Sequence, residues 1–353
     1  MARRVSSRDV AREAGVSTAT VSYVLNNKES QTISPETTEK VLDAVRKLGY
    51  VPNQAAQTLV TSRQQNKGLS KLVGVIIPQT EPGKKFVFSN PFYGDLLSSV
   101  EYTARINGYH VLISGTTAEQ SYVEIAKNRS LDGIIIVGMY PSSQINEYKK
   151  LQIPIVMVDC YRSDHFFHNV GVNDRHGAYL ATNYLIEHGH KNIAFISGSV
   201  QDYGVNHERL MGYRDALEGK GIDYSEQLVF SGDVSYIYGI TAAEQISQNK
   251  DITAVFATAD IIAVGAIKGF RKSGLNIPKD MSIVGFDDIH LARLAEPSLT
   301  TVRQDISKKG EAAMELIITN ILSPVMPRQD ISIPLTIVER DSVSYITNTD
   351  LSL

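Results

Sequence analysis

The sequence predicts a small all-α domain with a helix-turn-helix pattern over residues 1–51, followed by an α/β body with parallel sheets. Short apolar stripes at helical spacing mark the first part, and each follows a residue that can cap a helix. From Leu72 onward, runs of valine and isoleucine alternate with amphipathic stretches. Strands buried on both faces lack polar alternation, and strands that alternate with helices form parallel sheets.

Residues 7–26 predict two short helices joined by a tight turn. Ser7 can cap the first helix, and Gly15 can end it because glycine accepts a positive φ. Ser17 can cap the second helix, whose inward residues are Val21, Val24 and Leu25. The outer face of this second helix is small and polar, which suits a DNA major groove. A helical hairpin with no role in nucleic-acid binding is the alternative.

A third helix is predicted from Ser34, with a proline at its first position and Gly49 at its end. Its predicted apolar stripe consists of Val41, Leu42, Val45 and Leu48. Residues 52–71 then form a linker in which residues 54–60 can be helical. That segment is too short for a stable isolated helix, so it is either a frayed linker or a hinge that folds on DNA.

The charge is divided unevenly along the 353 residues. Met1 to Arg63 holds nine basic and six acidic residues, whereas the remainder carries six more acidic than basic residues. A basic head on an acidic body suits DNA binding by the head alone. Cys160 is the single cysteine, which fits a reducing compartment. We find no secretory signal or membrane span in the sequence and expect a cytoplasmic, nucleoid-associated protein.

Two lobes are predicted in the body, with the break between Cys160 and Asn169. Lobe one is expected at residues 72–160 and 291–322, lobe two at 161–290 and 325–345, and a tail at 346–353. Predicted strands are 72–77, 110–114, 133–137, 155–158, 192–197, 254–257, 282–286 and 331–339. Predicted helices are 93–107, 122–128, 176–188, 207–220, 237–247 and 261–273.

Six motifs occur in one order along the chain. They are DVAREAGVSTATVSYVLN, SPETTEKVLDAVRKLGYVPNQAAQTL, NPFYGDLLSSVE, NDRHGAYLATNYLIEHGHKNIAFISG, IPKDMSIVGFDDI and LTTVRQD. Together they resemble the LacI/GalR family of bacterial transcriptional regulators. The resemblance implies a helix-turn-helix head, a hinge helix and a two-lobed body of the type I periplasmic-binding-protein kind with three crossovers. It also implies a homodimer on a pseudo-palindromic operator. The sequence contains no leucine heptad of the kind that would predict a tetramer, so we expect a dimer.

For the head, the resemblance implies base contacts by Thr18, Ala19 and Tyr23, with Ser7 near the start of the first helix. It implies phosphate contacts by Ser6, Ser17, Thr20, Ser22, Asn26, Ser34 and Thr37. In the hinge it implies that Ala56 and Leu59 enter the minor groove, and that Asn53 and Gln57 reach the DNA backbone or the partner. Many members have arginine where this chain has Tyr23; a partly packed aromatic side chain is the alternative role.

For the body, the resemblance implies an effector cleft lined by Arg209 and Asp287 from the second lobe and by Phe92 and Tyr93 from the first. Asp159 and Asp260 are weaker candidates. Arginine donates to hydroxyls and aspartate accepts from them, so the pair can hold a polyol. A helix N-cap is the alternative role for Asp287, and a surface ion pair is the alternative for Arg209.

We therefore expect a transcriptional regulator, in the first place a repressor of a carbohydrate-utilisation operon controlled by a small sugar-like effector. A corepressor-dependent or global regulator is the alternative. A solute-binding protein would share the body but not the head, and an enzyme would need a catalytic motif of a kind that we do not find. We predict no cofactor and no metal site, because the histidines at 165, 168 and 176 are irregularly spaced.

Overall fold

The computed structural model describes residues 5–25, 33–50, 69–79, 90–117, 122–138, 145–161, 166–200, 204–324 and 326–346. The chain divides into two compact units, Met1–Ser70 and Lys71–Leu353. Several predictions fall outside the described residues: the hinge helix, the end of the tail, and the site residues Asn26, Asn53, Ala56, Gln57 and Leu59.

The first unit contains helices α1 (Ser7–Ala14), α2 (Thr18–Leu25) and α3 (Pro35–Leu48). The N-cap of α1 is Ser6, one residue before the predicted Ser7. The carboxylate of Asp9 accepts hydrogen bonds from the Ser6 backbone N–H at 3.0 Å and from its hydroxyl at 2.6 Å. This reciprocal cap fixes the start of the helix at the earlier serine.

The two glycine stops are as predicted, since Gly15 and Gly49 end their helices at φ 66° and 60°. The core of the unit contains Val10, Val21 and Val41, each fully buried. The predicted stripe on α3 was wrong in one position: Leu42 is 41% exposed and Ala44 is buried instead. Residues three, four and seven positions after Val41 share its face, and residue 42 does not.

The second unit has strands and helices in alternation. Its described strands are β1 (Leu72–Gln79), β2 (His110–Thr117), β3 (Gly133–Val137), β4 (Ile155–Val158), β5 (His168–Gly171), β6 (Ile193–Gly198), β7 (Val229–Gly232), β8 (Ala254–Ala257), β9 (Ser282–Asp287), β10 (Thr300–Gln304), β11 (Asp330–Ser332) and β12 (Leu335–Val338). Its described helices are α4 (Pro91–Ile106), α5 (Tyr122–Arg129), α6 (Ile145–Lys149), α7 (Asp174–Glu187), α8 (Val205–Glu218), α9 (Tyr236–Ile246), α10 (Asp260–Lys272), α11 (His290–Leu294) and α12 (Ile306–Leu322).

Among these described strands there are two sheets of six. The first has the order β11-β5-β4-β3-β1-β2, and its pairings are parallel. The second has the order β12-β10-β9-β8-β6-β7, in which only β12 pairs antiparallel. Buried Val and Ile runs lie at the centre of the sheets, as in Gly133–Val137. The sheets correspond to the two lobes implied by the resemblance.

The predicted lobe boundaries differ from the sheet membership. Residues 168–171 and 330–332 belong to the first sheet, and residues 300–304 belong to the second. The chain crosses between the sheets three times, after β5, after β10 and between β11 and β12. The predicted single strand over 331–339 is two strands in different sheets, separated at Pro334, which has no N–H for a sheet ladder.

The helix α12 was not predicted, although it is among the longest of the described elements. It packs on α4 and on β3, β4 and β5, so it belongs to the first lobe. In the second lobe, α7 packs on α8, and α9 packs on α10. The three crossovers bring the ends of β4, β9 and β10 close together, and the predicted effector residues other than Asp260 lie there.

Candidate functional site

The outer face of α2 carries the residues predicted to read bases. Thr18 and Ala19 are exposed, while Tyr23 is half-buried. Tyr23 is therefore partly packed, as its alternative role supposed, yet it is not fully buried. The exposed small residues leave room for close approach to DNA.

Serine and threonine pairs cap the second and third helices. The Ser17 hydroxyl accepts a hydrogen bond from the Thr20 backbone N–H at 3.0 Å, and the two hydroxyls are 2.9 Å apart. Ser34 and Thr37 repeat the arrangement at α3, with their hydroxyls 2.8 Å apart. Helix N-termini and small hydroxyls are good partners for phosphate. The other described phosphate candidates are Ser6, which caps α1, and Ser22, exposed on α2.

A cleft with a free volume of about 190 Å³ lies between the two lobes of the second unit. It lies at the carboxyl ends of the parallel strands, where open α/β sheets bind ligands. Residues from both lobes line it. Among them are the predicted Phe92, Tyr93, Asp159, Arg209 and Asp287. A larger depression of about 680 Å³ lies beside α4 and Asp288 but contains none of the predicted effector residues.

Arg209 is a buried member of a polar network, not a surface residue. Its Nε and one terminal nitrogen lie 2.7 and 2.6 Å from Oδ1 of Asp174, and another terminal nitrogen donates to the Thr258 carbonyl. The guanidinium stacks 3.6 Å from the ring centroid of Phe286. Burial opposes the charge, but the carboxylates of Asp174 and Asp287 outweigh it and raise the pKa of Arg209. The surface ion-pair alternative was therefore wrong.

Asp287 ends β9 and is also buried. It accepts a 2.6 Å hydrogen bond from the Gln304 amide, and Arg209 lies 3.9 Å away. Burial raises the pKa of Asp287 to about 6, against the lowering effects of Arg209 and Gln304. The N-cap of the following helix α11 is Ile289, so the N-cap alternative for Asp287 was wrong.

The first lobe contributes an aromatic pair and a carboxylate. Phe92 and Tyr93 meet edge to face, with ring centroids 5.5 Å apart and a 78° interplanar angle. Asp159 follows β4, and both of its carboxylate oxygens accept hydrogen bonds from Lys309 at 2.7 and 2.8 Å. Burial raises the pKa of Asp159, while the neighbouring ammonium of Lys309 lowers it.

Asp260 is placed elsewhere. It is fully buried at the start of α10 and does not appear among the described residues that line the cleft. Its oxygens accept hydrogen bonds from the Thr301 hydroxyl at 2.6 Å and from the Ile289 N–H at 2.9 Å. Burial and the nearby charge of Asp287 raise the pKa of Asp260 well above its usual value. Its contacts tie α10 to β10 and α11, which is a structural role.

Four site residues escaped the sequence analysis: Asp174, Gln304, Lys309 and Tyr161. The Tyr161 hydroxyl lies 2.5 Å from Oδ2 of Asp174, and Gln304 and Lys309 connect Asp287 to Asp159. Burial and the charge of Asp174 raise the pKa of Tyr161. The available signal for Lys309 was its inward position in the helical pattern of residues 306–322, but that helix is not among the predicted elements.

A helix-turn-helix head joined in one chain to a two-lobed body with a ligand cleft defines a DNA-binding transcriptional regulator. The comparisons identify the family. A family model described as bacterial regulatory proteins, lacI family, matches residues 8–53, and one described as periplasmic binding protein-like domain matches residues 182–343. The chain belongs to the LacI family of bacterial transcriptional regulators, which are not enzymes.

Two curated relatives align along nearly the full chain. Catabolite control protein A of Priestia megaterium is 33% identical over 345 residues, covering 96% of this chain and 99% of the relative. The HTH-type transcriptional repressor PurR of Erwinia tasmaniensis is 32% identical over 345 residues, covering 96% of each.

Solved structures agree with the fold. The transcriptional regulator CelR in complex with cellobiose is 28% identical with a TM-score of 0.69, covering 96% of this chain and 100% of that one. A LacI family regulator from Enterococcus faecium with bound ribose is 26% identical with a TM-score of 0.70, covering 78% and 100%. The lac repressor dimer bound to operator and the anti-inducer ONPF, at 24% identity and a TM-score of 0.78 over 97% and 100%, is similar in fold. In the described part of this chain, no helix has the length and apolar character needed to cross a membrane.

Proposed function

We propose that this regulator is a repressor whose affinity for its operator is controlled by a small sugar-like effector bound in the cleft between the lobes. The observation that carries the proposal is that the second lobe presents polar groups to the cleft, while the first lobe presents aromatic rings together with Asp159. Arg209 and Asp287 belong to the second lobe, whereas Phe92 and Tyr93 belong to the first. A ligand held by both sets bridges the lobes and favours one lobe arrangement over others.

The chemistry of the lining residues suits a sugar. The guanidinium of Arg209 donates to hydroxyl oxygens, the carboxylate of Asp287 accepts from hydroxyl protons, and the aromatic pair packs on an apolar sugar face. Regulators similar to this chain have been solved with cellobiose and with ribose. Relatives also include a repressor named PurR, so purines belong in the same ligand screen.

The DNA-binding part of the proposal rests on α2 and on the caps of α2 and α3. Thr18, Ala19 and Tyr23 are proposed to contact bases. Ser7 is proposed to lie near the DNA at the start of α1, and phosphate contacts are proposed for Ser6, Ser17, Thr20, Ser22, Asn26, Ser34 and Thr37. In the hinge, Ala56 and Leu59 are proposed to enter the minor groove, and Asn53 and Gln57 to reach the DNA backbone or the partner. A homodimer in the cytoplasm, reading a two-fold symmetric operator, is part of the same proposal.

The test of DNA recognition is selection of binding sites by the full chain from a random duplex pool. We expect enrichment of a two-fold symmetric sequence whose affinity falls steeply with salt. Thr18→Asp places a negative charge on the exposed face of α2 and should abolish the enrichment. Leu42→Asp adds the same charge at an exposed position of α3 and is the matched control. No enriched sequence, or equal enrichment by both variants, contradicts the proposal.

The second candidate function is corepressor control, in which the ligand promotes operator binding. The cleft serves either mode, because the sign of the coupling depends on which lobe arrangement binds DNA. Thermal-shift screening of the full chain against ribose, cellobiose and purine bases identifies a ligand. Operator titration with that ligand then gives the sign.

A further inference from the structure

Lys309 is a buried ammonium at the base of the cleft, in the first turns of α12. Its side chain is fully buried. The nitrogen lies 2.7 and 2.8 Å from the two oxygens of Asp159, and it also donates to the amide oxygen of Gln304. An ammonium has three N–H donors, and these three acceptors match them.

Asp159 serves Lys309 as its counter-ion. Both carboxylate oxygens of Asp159 face the same ammonium, and the residue adopts a left-handed φ of 55°. Lys309 itself is not among the lining residues of the cleft, whereas Asp159 is. The carboxylate therefore stands between the buried cation and any ligand in the cleft.

The second cation at the cleft is likewise balanced. Arg209 is held by Asp174 at 2.6 Å, and Asp287 lies 3.9 Å from it. The network thus sets three carboxylates, those of Asp159, Asp174 and Asp287, against two cations. A desolvated phosphate or carboxylate on a ligand needs a cation that is not already neutralised. A neutral hydroxyl needs only a donor and an acceptor, which Arg209 and Asp287 provide.

We propose that the Asp159–Lys309 pair makes the cleft selective for uncharged, hydroxyl-rich ligands and excludes phosphorylated or carboxylated ones. Asp159 is on this view a specificity-determining residue that keeps Lys309 from binding anions, and it does not itself hold the effector. The inference rests on the proposed function, in which the cleft is the effector site. It adds the charge class of the ligand.

The test uses inorganic phosphate as the probe on the full chain. Asp159→Gly removes the carboxylate at a position where glycine accepts the positive φ, and leaves the ammonium of Lys309 facing an opening to the cleft. Phosphate replaces chloride at constant ionic strength, and the melting temperature is followed. The double variant Asp159→Gly, Lys309→Met has the same opening without the cation. It reports the general effect of phosphate on stability.

We expect a saturable phosphate stabilisation in Asp159→Gly alone, with wild type and the double variant responding equally and weakly. Saturable stabilisation of wild type beyond that of the double variant overturns the proposal, because it reveals an available cation. A folded Asp159→Gly protein that gains no phosphate response overturns the counter-ion role of Asp159.

A second measurement does not depend on the variants. Wild-type protein is titrated calorimetrically with ribose and ribose 5-phosphate, and with glucose and glucose 6-phosphate. For any pair with measurable binding, we expect the phosphate ester to bind more than about tenfold more weakly than its parent sugar. Tighter binding of an ester than of its parent overturns the proposal. Failure of the proposed function would appear separately, as the absence of an enriched DNA sequence.

Discussion

The side-chain amide of Gln304 donates a 2.6 Å hydrogen bond to the carboxylate of Asp287. Gln304 ends β10 in the second sheet, and the chain then crosses into α12 of the first lobe. The same amide accepts a hydrogen bond from Lys309 of α12. The side chain of Gln304 thus connects Asp287, which lines the cleft, to Lys309 of the other lobe. A ligand that draws Asp287 into a new hydrogen bond would therefore act, through Gln304, on a contact between the lobes.

The raised pKa of Asp287 predicts a pH-dependent cost to stability. Its folded-state pKa of about 6 lies above the ordinary value of 3.8, so the group favours folding most when it is protonated. That contribution is lost as the pH rises through about 6. Asp287→Asn removes the titration. Its free energy of unfolding relative to wild type should therefore increase by about 1 kcal/mol between pH 5.5 and 7.5.

Chemical denaturation at both pH values measures this difference. Asp280→Asn is a suitable control, because hydrogen bonds from Asn276 lower the pKa of Asp280, so that carboxylate is charged at both pH values and its variant should show no pH-dependent difference over this range. A stability difference for Asp287→Asn that shrinks as the pH rises contradicts the buried-carboxyl interpretation.

The placement of Arg209 depends on close packing between α7 and α8. A Cβ at Gly212 would lie 1.9 Å from the backbone oxygen of Arg175, so alanine cannot enter without separating the helices that carry Asp174 and Arg209. Gly212→Ala should reduce the free energy of unfolding by about 1–3 kcal/mol and weaken ligand binding.

Gly94 provides the matched substitution. It lies in α4, and a Cβ there meets nothing within 4 Å among the described residues. Gly94→Ala should be neutral or stabilising by up to about 1 kcal/mol, because alanine favours helix. Thermal and denaturant unfolding compare the two variants, and equal stabilities would contradict the packing argument.

Much of the fold was predictable because its strongest signals are local. The Val and Ile runs of β3 and β4 and the apolar run of β8 predicted buried strands. The short strand β5 was missed because His168 and Asn169 interrupt the apolar pattern. The helix α12 was missed because Lys309 lies on its buried face, where an apolar residue is expected.

The site was only half predictable, since its pairings join elements far apart in sequence. Arg209 and Asp287 were identified through family motifs, and both line the cleft. Asp174 and Gln304 acquire their roles only when α7, α8, β9 and β10 are placed together. Asp260 follows a strand end like Asp287, but its carboxylate hydrogen-bonds to Thr301 and Ile289. Position after a strand does not determine where a side chain points.

Tyr23 is expected to set base preference. Arginine binds guanine bidentately and tyrosine cannot, so Tyr23→Arg should change the sequence selected from a random duplex pool. Leu42→Arg adds the same charge at an exposed position of α3 and should strengthen binding without changing the sequence. If Tyr23→Arg selects the same half-site as wild type, Tyr23 is not a reading residue.

The central claim is that a ligand in the cleft controls the affinity of the head for DNA. The most direct measurement is the operator dissociation constant of the full chain with and without a saturating ligand found by thermal shift, in wild type and in Arg209→Ala and Asp287→Ala. We predict a change of about 5–150-fold in wild type. In both variants we predict that the operator dissociation constants with and without the same ligand concentration are nearly equal. The reason is that the ligand binds more weakly in the cleft once it has lost a polar partner there. Equal operator affinity of wild type with and without a ligand bound in the cleft would contradict the account.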